Sequence, residues 1–184
     1  AHLGLACLIY VLLLWLAVDL LRPAAAGERE RGAARGLLVH AWITVAMVSI
    51  TMVWGAFVAG LDAGVVYNTF PLMDGRFLPP ESWTLNPWWL NALDNTALVQ
   101  FMHRWLAVST ALVAIALSFR GFRPGAPESL RKIAGALGVM VVVQVLLGVS
   151  TLLLAVPVPL GAAHQAGALA VLGLAVLMVR EAKR

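Results

Sequence analysis

The sequence predicts an all-α integral membrane protein. Five transmembrane helices are expected, the last four forming a four-helix bundle and the first the remnant of a preceding homologous half. Three observations lead there. The chain of 184 residues is 61% hydrophobic and only 12% charged, with a mean hydropathy of +0.89, whereas a soluble domain is about 45–50% apolar and about 25% charged. Its apolar residues gather into long runs, and its charges are confined to the segments between them. The chain opens at Ala1 inside an apolar stretch, which reads as the interior of a longer protein, and no cleavable signal peptide is visible. Cys7 is the single cysteine, which excludes an internal disulfide, a CxxC motif and a cysteine-ligated cluster.

The five apolar segments run His2 to Leu21, Leu37 to Ala59, Ala97 to Phe119, Ile133 to Val156 and Pro159 to Val179. At 1.5 Å rise per residue, each is long enough to cross a hydrocarbon core of roughly 30 Å. The segments between them are unlike one another. The first contains Arg22, Arg29, Arg31 and Arg35, the third Arg120, Arg123, Arg131 and Lys132, and the C-terminal tail Arg180, Lys183 and Arg184. Eleven of the thirteen basic residues lie there. The long second segment, 60–95, carries Asp62, Asp74, Glu81 and Asp94 against Arg76 alone. Alternating helices place all the basic segments on one side, which the positive-inside rule makes cytoplasmic or matrix-facing. The long loop and the short turn from Val156 to Pro159 then face outward. The net charge of +4 is thus a topology signal, and no nucleic-acid partner is expected.

The same topology sorts the histidines. His103 and His164 each lie a few residues inside the outer end of a helix, at a matched depth of roughly 7–11 Å. His2 heads a helix running in the same direction as that of His164. His40 opens the second helix at the basic end and reads as interfacial. Ala1-His2-Leu3-Gly4-Leu5-Ala6 and Ala163-His164-Gln165-Ala166-Gly167-Ala168 share an Ala-His followed by small residues, at equivalent points 162 positions apart. Read as an internal repeat, this makes residues 1–21 the last helix of a truncated N-terminal half, 22–36 a basic linker, and 37–184 a complete C-terminal half with its outer loop at 60–95. Duplicated halves are common in membrane proteins.

An ionisable side chain inside a membrane is costly and generally has a partner or a task. Two neutral imidazoles facing each other across a bundle can take both axial positions of a haem iron; the bland alternative is a pair of core imidazoles bonded to carbonyls or hydroxyls. Zinc suits the pair poorly, because no cysteine or carboxylate shares their depth. Ala163, Ala166 and Gly167 around His164 supply the small residues a flat macrocycle needs. Gly138, Gly148 and Thr151, with Gln144, form a candidate wall on the fourth helix, although small residues serve ordinary helix packing in lipid equally well. Arg104 follows His103 but points about 100° away. It has three available partners: a haem propionate, Asp94, or the headgroups by snorkelling. Trp83, Trp88 and Trp89 read as an interfacial aromatic belt.

These residues resemble the haem A synthase family. The loop string Gly60-Leu-Asp-Ala-Gly-Val-Val-Tyr-Asn-Thr-Phe-Pro-Leu-Met-Asp-Gly75 is its most specific part. It is joined by Asn86-Pro-Trp-Trp-Leu-Asn91, Val99-Gln-Phe-Met-His-Arg104, Gln144-Val-Leu-Leu-Gly148 and Ala163-His-Gln-Ala-Gly167. The likeness covers essentially the whole chain, with Met102 standing where a polar residue is expected. It implies eight helices in two similar halves, of which this chain carries helices four to eight. It implies haem b on His103 and His164, with Arg104, Gln144, Gly148 and Gly167 around it, and His2 as a residue of the substrate-haem site whose partners lie upstream. The implied activity is oxidation of the methyl group of haem O to the formyl group of haem A, in support of cytochrome oxidase assembly. The implied setting is a bacterial plasma membrane or a mitochondrial inner membrane. The partners to expect are haem O, the lipid bilayer, haem O synthase, cytochrome oxidase assembly factors and further copies of the chain. The lone Cys7 places the sequence with members that lack a loop cysteine pair.

A cytochrome b-type electron-transfer subunit without haem-modifying activity is the alternative, though no quinone pocket is recognisable. A transporter-like bundle is a weaker one, since no intramembrane carboxylate or broken helix is evident. Because half of the implied substrate site is absent, these 184 residues alone are expected to produce no haem A. Turnover of haem O by the isolated fragment, followed by chromatography of extracted haems, would refute that expectation.

Overall fold

The computed structural model describes residues 2–21 and 35–183, with side chains from residue 4 onward. Five helices in it are long and apolar enough to cross a membrane: α1 (His2–Leu21), α2 (Leu38–Gly60), α3 (Thr96–Arg120), α4 (Glu128–Leu153) and α5 (Val158–Lys183). No strand occurs among the described residues. The all-α membrane fold expected from composition is therefore the one observed.

The helix limits depart from the apolar limits in a consistent way. α4 was expected from Ile133 but begins at Glu128, directly after Pro127, whose extended backbone (ψ 149°) halts the chain before it. The helix continues through Arg131 and Lys132 because apolarity marks the bilayer, whereas helix formation requires only satisfied backbone groups. Glu128 and Lys132 form an exposed i,i+4 ion pair on that first turn. At its other end α4 stops at Leu153, short of the expected Val156, because Ala155 and Val156 take positive φ values of 56° and 58°. Their amides return to the Leu152 and Thr151 carbonyls. Similarly, α5 runs on to Lys183.

α2 to α5 form an antiparallel ring in which α2 packs on α3, α3 on α4, α4 on α5, and α5 back on α2. α3 and α5 are therefore diagonal partners. α1 lies outside the ring and packs against α5. Gly173 leaves room there for the hydroxyl of Tyr10. At the basic end Asp19 pairs with Arg180, Trp15 stacks with Trp42 of α2, and Lys183 lies over both rings. The other face of α1 is exposed along Leu5, Leu8, Leu12 and Leu16.

The ring is divided along its length. In its basic half, Leu37, Ala41, Leu117, Leu130, Ala134, Leu137, Met178 and Val179 are all fully buried against one another. Between apolar helices in lipid there is little hydrophobic driving force, so cohesion rests on close packing and interhelical hydrogen bonds. Both are found where α3 meets α4. The Ser118 hydroxyl donates to the Ala134 carbonyl at 2.6 Å, and a Cβ built on Gly138 would sit 2.6 Å from that hydroxyl oxygen.

Gly138→Leu is accordingly expected to push α3 and α4 apart and to destabilise the protein by about 1–3 kcal/mol, the usual cost of overpacking. Thermal unfolding in detergent measures it, and an unchanged midpoint would refute the close crossing.

Candidate functional site

The loop half of the ring holds a cavity of about 500 Å³, within the ~300–1,000 Å³ typical of cofactor pockets. His103 on α3 and His164 on α5 both line it, on diagonal helices. The structure thus brings together the two residues singled out as an axial pair.

Each imidazole is held by the helix beside its own, through residues four apart. The Nδ1 of His103 lies 3.1 Å from the Thr51 carbonyl oxygen. A carbonyl only accepts, so Nδ1 carries the proton and the Nε2 lone pair is left free. One turn along α2, a Cβ built on Gly55 would stand 3.0 Å from His103 Cε1. On the other side, Gln144 of α4 places Nε2 2.9 Å from the His164 carbonyl and 3.1 Å from His164 Nδ1. One turn along, a Cβ on Gly148 would be 2.8 Å from His164 Cε1. Thr51 and Gly55 on α2 match Gln144 and Gly148 on α4. Neither Thr51, which acts through its backbone carbonyl, nor Gly55 was anticipated from sequence.

The remaining expectations are distributed unevenly. Gln144, Gly148 and Thr151 line the cavity, whereas Gly138 lies at the α3–α4 crossing. Gly167 is behind the site, where its missing Cβ leaves space for Gln144 Oε1. Ala163 and Ala166 are exposed, and the small residues of α5 that reach the cavity are Gly161 and Ala168. His2 begins α1, but its side chain lies outside the described residues, as does the basic stretch from Arg22 to Arg31. His40 joins two helices at the basic end, with Nε2 donating to the Val113 carbonyl (2.9 Å) and Nδ1 accepting from Arg120 (3.0 Å).

Arg104 lines the cavity, but its guanidinium group is directed to the loop. Nη1 donates to the carbonyls of Thr69, Pro71 and Leu72 at 2.8, 2.8 and 2.9 Å, and Nη2 reaches the Tyr67 carbonyl at 3.4 Å. It forms no ion pair with Asp94. One turn earlier, Gln100 Nε2 donates to the same Tyr67 carbonyl at 3.1 Å. Asn68 ties the loop to α4 through the Leu152 carbonyl at 2.8 Å, and Phe70 closes over the cavity. In the loop, the Tyr67 hydroxyl donates to Glu81 (3.3 Å); burial first, and then the neighbouring Glu81 charge, push its pKa up. Trp83, Trp88 and Trp89 are exposed, as expected of an interfacial belt.

These features accord with an iron-bearing macrocycle. His103 lines the cavity with the lone pair of its Nε2 free, glycines leave room beside both rings, and the walls are mainly aliphatic. Gln100 Oε1, Gln144 Oε1 and Gln165 Nε2 are buried without a hydrogen-bond partner, and all three residues line the cavity. Such orphaned polar atoms call for a ligand or water to satisfy them. No cluster of three or more metal-binding side chains exists among the described residues, so a bare metal ion has no cage.

Ring, cavity and paired imidazoles define a membrane helical bundle with a histidine-lined cavity between its diagonal helices. Within that class, the chain belongs to the cytochrome oxidase assembly protein family (COX15-CtaA), whose family model it matches over residues 1–176. It is similar to the heme A synthase of Rhodospirillum centenum, at 52% identity across 95% of this chain and 46% of the relative. It is 45% identical to that of Nitrosospira multiformis across 100% of this chain and 51% of the relative. The bovine relative, Heme A synthase COX15, is 40% identical across 100% of this chain and 44% of its own length. The chain therefore spans about half the length of the curated relatives it matches. No solved structure matches it.

Arg104→Ala would leave the Thr69 and Pro71 carbonyls unpaired and should loosen the loop by about 2–3 kcal/mol, the scale of hydrogen bonds to a charged group. Trypsin cleavage after the exposed Arg76 should then accelerate, less so for Arg104→Lys. An unchanged cleavage rate would refute the clamp.

Proposed function

We propose that this chain is the C-terminal part of a haem A synthase, an oxidoreductase that converts the methyl group of haem O to the formyl group of haem A. The observation that carries the reading is the pair of diagonal imidazoles lining one cavity, in a chain similar along its whole length to heme A synthases. His103 and His164 would hold a haem b in this half. Bound there, haem b supplies a one-electron carrier for the oxidation.

The chain's own residues have separable tasks. Thr51 and Gln144 orient the two imidazoles, while Gly55 and Gly148 let the rings stand close to the neighbouring helices. Arg104 and Asn68 hold the loop over the cavity and limit access of water. α1, with its leucine face turned away from the ring, is the last helix of a preceding half, and residues 37–184 are a half in themselves. In that preceding half the substrate haem meets His2. The loop end faces the periplasm or the intermembrane space, and the basic end the cytoplasm or matrix, in keeping with the charge distribution. Haem O synthase and cytochrome oxidase assembly factors are the partners this activity requires nearby.

Two measurements test the reading. The purified full-length protein should show a low-spin bis-imidazole haem b spectrum that His103→Ala and His164→Ala each abolish; survival of that spectrum in both variants would refute the ligands. Cells lacking haem A synthase should regain haem A when given the full-length gene. Accumulation of haem O alone would favour the electron-transfer subunit instead.

A further inference from the structure

The two histidines of the cavity do not have equivalent hydrogen bonds. His103 donates from Nδ1 to a backbone carbonyl, the arrangement in which a histidine presents Nε2 to a metal and gains basicity from its acceptor. At His164 the partner is an amide nitrogen. Gln144 Nε2 lies between the His164 carbonyl oxygen at 2.9 Å and His164 Nδ1 at 3.1 Å. The carbonyl oxygen decides which end of the amide stands there, since only an NH₂ group can face it favourably. The second hydrogen of that NH₂ group is then directed at Nδ1, which accepts it. In a neutral ring the proton accordingly resides on Nε2, the nitrogen that would have to bind iron. Gln144 Oε1, facing the glycine backbone at Gly167, is buried with no donor.

From this we infer that His103 is preset as an iron ligand and that Gln144 holds His164 in the opposite tautomer, making His164 the conditional ligand. The inference rests on the haem-ligand reading above. For His164 to ligate, one proton moves from Nε2 to Nδ1 with no net change in charge. Gln144 then turns its amide so that Oε1 accepts from Nδ1, giving up its bond to the His164 carbonyl. The space at Gly167 allows the turned NH₂ group to occupy the place that Oε1 leaves. Gln144 is a positioning residue: it acts on the iron only through His164, and its side chain sets how firmly that ligand holds.

The test uses the full-length protein with haem b bound, and compares His103→Ala, His164→Ala and Gln144→Glu with the wild type. His164→Ala should retain most of the wild-type haem of this half, as a five-coordinate high-spin species on His103, while His103→Ala should lose it. Glutamate at position 144 offers a carboxylate that accepts from Nδ1–H and cannot donate to it. Carbon monoxide binding to the ferrous Gln144→Glu protein should therefore slow about three- to ten-fold, the range that one net hydrogen bond is worth. Its midpoint potential should fall as the imidazole becomes more basic. Equal haem loss in the two alanine variants overturns the inference, as does carbon monoxide binding unaltered by Gln144→Glu. A wild type with no bis-imidazole haem brings down the ligand assignment itself, an outcome separable from both.

Discussion

Everything in the loop half of this bundle depends on how closely an imidazole approaches the helix next to its own. His103 rests against Gly55 and His164 against Gly148, with a Cβ at either glycine falling 3.0 or 2.8 Å from a ring carbon. Were those positions larger, the rings would swing away and the polar groups one turn earlier would lose their partners. In lipid no water replaces a lost partner, so an unpaired buried group retains its full desolvation cost. Close approach and hydrogen-bond satisfaction are thus one constraint, met twice by the same i,i+4 device.

That device separates the bundle from a simple packing of greasy helices. The basic half coheres through aliphatic side chains in full contact, with the Ser118–Ala134 bond at its crossing. The loop half leaves about 500 Å³ open and keeps its walls apart through polar ties. The Thr51 and Thr110 hydroxyls meet at 2.8 Å between α2 and α3, Arg104 collects loop carbonyls, and Asn68 reaches α4. The cation of Arg104 is only 7% exposed and is balanced by carbonyl dipoles, so the loop's shape depends on that charge.

Much of this was legible in the sequence, because lipid imposes simple rules. The number of spanning helices follows from apolar length, and the pairing of His103 with His164 follows from the rarity of ionisable groups at that depth. The helix ends were less legible, since Pro127 and the positive-φ pair Ala155 and Val156 act independently of hydropathy. Thr51 was invisible because its contribution is a backbone carbonyl, which has no sequence signature. Ala163 and Ala166 illustrate a different limit. They are near His164 in sequence, but turns of about 100° per residue carry both off its face, while Gly161 and Ala168 return to it.

The aliphatic plug in the basic half has a further consequence. With Leu37, Leu117, Leu130, Leu137 and Met178 all fully buried, the polar side chains between the cavity and the arginine-rich end, among them Thr44, His40 and Ser118, are each already bonded to a helix carbonyl. A charge appearing in the cavity is insulated from that end by several helical turns of hydrocarbon. The polar side chains lining the cavity nearest the loop are Asp62, Gln100 and Arg104, so a compensating proton has its shorter route there. The vessel is therefore electrically lopsided, its polar groups gathered at the loop mouth and its other end filled with hydrocarbon.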